Sequence, residues 1–301
     1  MSSLLPRDAW RVAGVSITVL LLLVFVLYQQ TILYLLGKWN QLEMGEYGHG
    51  YLVLAISAYL IFYNRQRLVA LTPCPEYRAI WAVLAASLLL MVAALVDVEM
   101  LQTVGLLLLV LSMIWALLGT RVTQILVFPI LYIGFSIPIW FPLSPILQDL
   151  TADVVFWAIR LMEIPALRIE NMIVLPAGRI SIEEACSGLR FFLAALALGT
   201  LFAYLNYTAF SARLIVVLVS AGAAVFVNIL RVFIVVYLGY TTDMQHPLVH
   251  DHLGLGWYLF GGMIAILLFL DVRMHRHRTP ACPDGTTQHN EVRPAACGKG
   301  P

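Results

Sequence analysis

Charge is scarce in this chain. Asp, Glu, Lys and Arg make up 12% of its 301 residues, against 61% hydrophobic residues. That balance excludes an ordinary soluble domain, in which about a quarter of residues are charged. Cysteine is scarce too. Cys74, Cys186, Cys282 and Cys297 show neither a disulfide framework nor convincing metal-ligand spacing. No internal repeat and no Gly-rich phosphate loop occurs, and no metal, cofactor, nucleotide or nucleic-acid site is expected. The first apolar run is too long for a cleavable signal peptide and lacks a small-residue cleavage site. The net charge of +1 decides little, because in a membrane protein the placement of Arg and Lys outweighs their sum.

What the chain has is apolar runs long enough to span a bilayer. Read in order, they fall at about Val12–Leu36, Tyr51–Tyr63, Ile80–Val96, Leu101–Leu118, Val122–Ile137, Cys186–Tyr204, Leu214–Leu238 and Leu253–Val272. Arg7, Arg11, Arg65, Arg67, Arg78, Arg121, Arg213, Arg273, Arg276 and Arg278 all lie in alternate connections, whereas Asp97 and Glu99 lie between them. The positive-inside rule then predicts both termini in the cytoplasm. The lipid bilayer is the first partner this pattern implies.

Pro138 to Ala185 is too polar to span, and Pro138, Pro142 and Pro145 break any helix running into it. Within it, about Leu147–Met162 reads as an amphipathic helix lying along the interface. Arg168 to Leu175 and Arg179 to Glu183 read as two short strands around Pro176-Ala-Gly178. The expected fold class is an all-α polytopic membrane protein of about eight transmembrane helices. Its extracytoplasmic loop would hold the amphipathic helix and a short β-hairpin. A membrane domain over residues 1–278 and a disordered, Pro- and Gly-rich cytoplasmic tail over 279–301 complete the expected organisation.

Chemistry concentrates around Ile180-Ser-Ile-Glu-Glu-Ala-Cys-Ser-Gly-Leu-Arg190, where a polar segment turns into a membrane run. A thiol at a helix N-terminus ionises more easily, and Arg190, one turn on, adds positive charge. The plainer alternative is a small, inert, buried cysteine. Arg231 lies inside the seventh span, where a guanidinium is costly without a partner or polar cavity. A carboxylate partner would make it structural; otherwise it faces a site. His252 opens the eighth span, beside His246 and His250. A thiol, an imidazole and a guanidinium suffice for acyl transfer.

In sequence, Glu184-Ala-Cys186-Ser-Gly-Leu-Arg190, Asn228-Ile-Leu-Arg231, and His252 with Gly254 resemble the exosortase and archaeosortase family of membrane transpeptidases. Tyr47-Gly-His-Gly50 and Asn171-Met-Ile-Val-Leu-Pro-Ala-Gly178 look like further segments of that pattern, so the resemblance runs from Tyr47 to the last span. It implies a cysteine peptidase or transpeptidase with Cys186 as nucleophile, Arg231 as thiolate or oxyanion partner and His252 as acid and base. Arg190, Asn228, Glu184 and His49 are supporting candidates. His49 reads equally well as an interface histidine, and Glu183 and Glu184 as helix-dipole partners. His246 and His250 read as loop residues, because His252 directly precedes Leu253-Gly254 and the last span. The implied substrates are exported proteins bearing a carboxy-terminal sorting tail of the PEP-CTERM type, handed to an unknown acceptor nucleophile at the bacterial inner membrane and linked to exopolysaccharide or biofilm production.

Two other readings are open. One glutamate-dependent membrane protease pattern places Arg five positions after the first Glu of a Glu-Glu pair, but here Gly188 stands at that position. A transporter or assembly factor would favour midplane ionisable groups and internal symmetry, which the chain lacks.

Overall fold

The computed structural model describes residues 6–41, 45–183, 186–250 and 253–276. Glu184, His252, Cys282, Cys297 and the tail expected over 279–301 lie outside the described residues. Twelve α-helices, two short 3-10 helices and three strands are present among the described residues.

The first apolar run is two helices rather than one. Helix α1 (Pro6–Leu27) gives way at Tyr28 (φ −112°, ψ 28°) to α2 (Gln29–Trp39). Hydrogen bonds from Tyr28 N–H to the Val24 carbonyl and from Ile32 N–H to the Tyr28 carbonyl carry the backbone through the break. Helix α3 (Gly50–Tyr63) and the single turn α4 (Arg65–Val69) follow, then α5 (Ala79–Leu95), α6 (Glu99–Leu118) and α7 (Thr120–Tyr132). Pro129 sits inside α7, and a 3-10 turn over Ile133–Ser136 carries the chain to Pro138. Among the described residues, five helical segments are long and apolar enough to cross a membrane: Asp8–Leu27, Glu99–Leu118, Leu189–Asn206, Phe210–Thr241 and Gly254–Asp271. Gly50–Tyr63, Ala79–Leu95 and Thr120–Ser136 are apolar but shorter. Val15, Val19, Leu22 and Val26 on α1 stand exposed, as expected of side chains that hydrocarbon covers.

The polar middle segment is ordered. Helix α8 (Leu143–Leu161) buries Ser144, Leu147, Gln148, Thr151, Ala152, Val155 and Ile159, a stripe at helical spacing, and exposes Asp149, Asp153 and Arg160. Three strands, not two, come next: β1 (Leu167–Ile169), β2 (Met172–Leu175) and β3 (Gly178–Ser181), an antiparallel meander in the order β1-β2-β3. The expected turn at Pro176-Ala177 joins β2 to β3, with Leu175 opposite Gly178. A second two-residue turn at Glu170-Asn171 splits the upstream run, with Glu170 at φ +51°. Turn residues inside an apolar run were the signal for that break. Arg168 of β1 bridges Asp149 (3.0 Å) and Asp153 on α8. Both carboxylates are largely exposed, so these pairs fix orientation more than they stabilise.

Helices α9 (Leu189–Asn206), α10 (Phe210–Thr241), α11 (Pro247–His250) and α12 (Leu253–Arg276) complete the chain. Helix α10 is the hub of this half, packing against α8, α9, α11, α12 and β3. Ile159, Ile173, Leu175, Ile182, Cys186, Val232 and Val236 form one buried cluster that joins α8, the sheet and α10. A separate cluster of Trp39, Tyr47, Leu147, Leu189 and Leu193 ties the α2 end to α8 and α9. Truncating Ile173, which is fully buried at the centre of the first cluster, is expected to cost about 2–5 kcal/mol. Thermal unfolding of Ile173→Ala in detergent, compared with exposed Ile169→Ala, checks this; equal midpoints would contradict it.

Candidate active site

Cys186 lies ahead of α9 rather than within it. Cys186 N–H donates to the Glu183 carbonyl at 2.8 Å, and α9 begins only at Leu189. Gly188 is the N-cap, held in the left-handed region (φ +85°). The Ser187 hydroxyl accepts the Leu189 N–H (3.3 Å), satisfying one of the free amides at the helix start. The thiol therefore lies three residues ahead of the helix that the sequence had suggested it would open.

Asn228 on α10 fixes this turn. Its Nδ2 donates to the carbonyls of Cys186 and Ser187, both at 3.1 Å, and to Thr151 Oγ1 on α8 at 3.2 Å. Three acceptors around one NH₂ settle which end of the amide points at the turn. A side chain at position 188 would collide with the Asn228 amide, so glycine is required there for space as well as for φ. Ser144 donates to Ser187 at 3.2 Å, and Gln148 Nε2 donates to the Ile182 carbonyl. The polar members of the buried α8 stripe thus brace the segment on both sides of Cys186. Sequence reading passed over Ser144, Gln148 and Thr151; their placement among apolar residues at the buried spacing was the available signal.

Arg231 follows Asn228 by three positions and shares its helix face. It lies about 15 Å from the α10 C-terminus at Thr241, using about 1.5 Å per residue. Only 1% of its surface is exposed. Its guanidinium carbon stands 5.5 Å from the Phe191 ring centroid, and Nε and Nη2 find no hydrogen-bond partner among the described residues. No described carboxylate forms an ion pair with it, so the structural reading of Arg231 as half of a salt bridge is not supported there. Phe191 also meets Trp257 edge-on on α12. A Cβ at Gly256 would stand 2.9 Å from Phe191 and 3.0 Å from Arg231 Nη1. Helix α12 therefore closes over the guanidinium at Gly256, four residues beyond His252.

The remaining candidates separate. Arg190, half-buried at the start of α9, interacts electrostatically with Glu46, His49 and Arg231, and the charges acting on the Cys186 thiol include Arg231 and Glu183. His49 Nε2 lies 3.1 Å from the Phe135 carbonyl, and its ring stacks on Tyr47. Burial lowers the imidazole's proton affinity, leaving His49 neutral at pH 7. His246 Nδ1 accepts the Leu248 N–H at 3.2 Å, a capping contact that suits a loop residue. Cys74 is exposed and free. Among the described residues, no group of three or more His, Cys, Asp or Glu side chains could hold a metal ion.

Burial pushes the Cys186 thiol up from its ordinary value; the Arg231 charge opposes that rise, and Glu183 adds to it. The resting group is a thiol, not the easily ionised thiolate that the helix-start reading implied. What the arrangement offers is a buried thiol in an apolar cluster, under the influence of a guanidinium whose Nε and Nη2 have no partner among the described residues. Maleimide labelling of Cys186 should accelerate with pH and level off only above the ordinary thiol range near about 8.5. Arg231→Gln should move that midpoint further up; an unchanged midpoint would dissociate the two groups. Gly188→Ala should cost about 1–3 kcal/mol from backbone strain alone and more from the collision with Asn228. The midpoint of thermal unfolding reads it, against Gly14→Ala, where a Cβ meets open space.

In a comparison with protein-family models, residues 39–269 match the family described as transmembrane exosortase (Exosortase_EpsH). Neither a search of curated proteins nor one of solved structures gave a match. The matched stretch takes in His49, Cys186, Asn228 and Arg231 together with the sheet and the helices that hold them, and covers well over half of the chain. This multi-pass membrane protein belongs to the transmembrane exosortase family.

Proposed function

We infer that the chain is a membrane cysteine peptidase of the transpeptidase type, which cuts exported proteins near a carboxy-terminal sorting tail. The observation that carries this reading is a buried thiol under the influence of a buried guanidinium whose Nε and Nη2 have no partner among the described residues. Their separation along the chain, on different elements, leaves catalysis as a better account of the cost of burying Arg231 than local structure.

The steps follow from the groups. His252 takes the proton from Cys186 Sγ, and the thiolate attacks the carbonyl carbon of the bond to be cut. The tetrahedral oxyanion forms against Arg231, whose donors stabilise charge that the ground-state carbonyl lacks. His252 then returns the proton to the departing amine, the C–N bond breaks, and a thioester to Cys186 remains. An acceptor amine, or water, attacks the thioester and gives its proton to His252; the C–S bond breaks and the thiol is restored. A thiol kept protonated at rest suits this sequence, since ionisation is coupled to substrate arrival. Asn228 and Gly188 hold the turn, and Arg190, Glu46 and His49 form a polar group beside it. Glu184 lies two residues before Cys186 in the sequence.

The membrane arrangement we favour has eight spans, with the three shorter apolar helices crossing alongside the five long ones. The Arg-bearing connections and both termini then face the cytoplasm, and Cys186 faces the outer side of the bacterial inner membrane. Residues 1–278 make up the membrane domain and 279–301 a cytoplasmic tail. The substrate class is the PEP-CTERM type of tail: a short motif, one apolar helix and a basic cluster. Release or transfer of such proteins to a surface acceptor would connect the chain to exopolysaccharide or biofilm production.

Co-expression with a tagged exported protein carrying such a tail provides the test. Cys186→Ala should leave the precursor at full length on an immunoblot, with Cys74→Ala processing normally. Arg231→Gln and His252→Ala should each slow processing by about 100-fold or more. Continued processing without Cys186 would remove the thiol from the mechanism.

A further inference from the structure

The meander leaves one edge that leads to the thiol. Leu175 opposite Gly178 closes the β2–β3 turn, and Ile173 opposite Ile180 follows two residues on. The pairing extends one step past the strand, where Ile182 N–H donates to the Asn171 carbonyl at 2.8 Å. Hydrogen-bonded pairs alternate in an antiparallel ladder, so Gly178, Ile180 and Ile182 direct their main-chain groups at β2. Arg179 and Ser181 therefore turn their N–H and C=O groups away from it. No backbone hydrogen bond from the described residues fills them, and both residues are exposed.

Such a row of free donors and acceptors is a template for another strand. The opposite edge, β1, has only three residues, and the Arg168 side chain ties it to α8. The β3 edge instead runs through Ile182 and Glu183 into the turn that carries Cys186. Ile182 and Cys186 share one buried cluster, and Ile180 packs against it, so strand and thiol are packed into the same core. A polypeptide must be extended to present its carbonyl to a nucleophile, and a main-chain ladder recognises that form whatever its side chains.

We propose that the free edge of β3 is a substrate subsite, where Arg179 and Ser181 pair with an extended segment of the exported protein just amino-terminal to the cut bond. The segment becomes a fourth strand. The amino-terminal side is the one held, because it is the part retained as the thioester while the apolar tail departs. Binding through the main chain makes the subsite tolerant of sequence, leaving selection to features of the tail itself. This subsite rests on Cys186 being the nucleophile.

The experiment uses the full-length protein in cells with the tagged, tail-bearing exported protein as probe. Single proline substitutions are walked along the six or so probe residues before the cut, with the wild-type enzyme. Proline deletes the N–H donated to β3 at every second position only, so processing rates should alternate. Sensitive positions should slow by about fivefold or more, the worth of one hydrogen bond. Ser181→Pro in the enzyme, which removes a donor facing away from β2, should slow processing of the unaltered probe to a similar degree while leaving the Cys186 labelling profile intact. A proline scan without a period of two overturns the proposal, whatever the fate of the Ser181→Pro protein. A flat scan with processing still dependent on Cys186 rejects the subsite alone; processing that survives Cys186→Ala rejects the thiol reading beneath it.

Discussion

The Asn228 amide is the contact on which the site depends. One NH₂ group holds the carbonyls of Cys186 and Ser187 and reaches Thr151, tying together α8, the turn before α9, and α10. Because the amide is buried, water does not compete for these bonds, and each broken one would leave a polar group unsatisfied. Gly188 is the complement of that contact: its missing side chain is the space the amide occupies. Arg231 is then placed by the helix itself, one turn from the clamp.

Around this point the protein combines a costly charge with a buried thiol. Arg231 sits against Phe191 and beneath Gly256, with donors unfilled among the described residues. Cys186 lies in an apolar cluster that favours the neutral thiol. The same apolar surroundings thus suit the neutral thiol and penalise the buried guanidinium. A polar group of Glu46, His49 and Arg190 stands beside the pair, with a connection to Arg231 through Arg190.

Much of this was legible beforehand. The apolar runs announced a polytopic membrane protein because a bilayer sets a minimum length for each. The spacing from Cys186 to Asn228 and Arg231 carried the family resemblance that the match over residues 39–269 bears out. Other features were misread for identifiable reasons. The first apolar run contains no proline or glycine at Tyr28 to signal its break. Glu170-Asn171 hid a turn inside what read as one strand. The helix-start argument for an ionised thiol counted the dipole and the nearby arginine but could not count burial, which is the largest influence on it.

The sequence by itself determined which residues lie in apolar runs, which lie between them, and that a thiol and an arginine occupy separate runs or their edges. These are properties of composition and short-range spacing. Only the tertiary structure decided that Ser144, Gln148 and Thr151 of a seemingly interfacial helix brace the segment around Cys186, that Glu46, far away in the chain, acts on Arg190, and that β3 has an edge whose main-chain groups are unfilled by the described residues. Each of these joins residues far apart in the chain through a direct contact, a shared electrostatic field or a strand register. Such pairings follow from how helices and strands pack, and no local pattern encodes them.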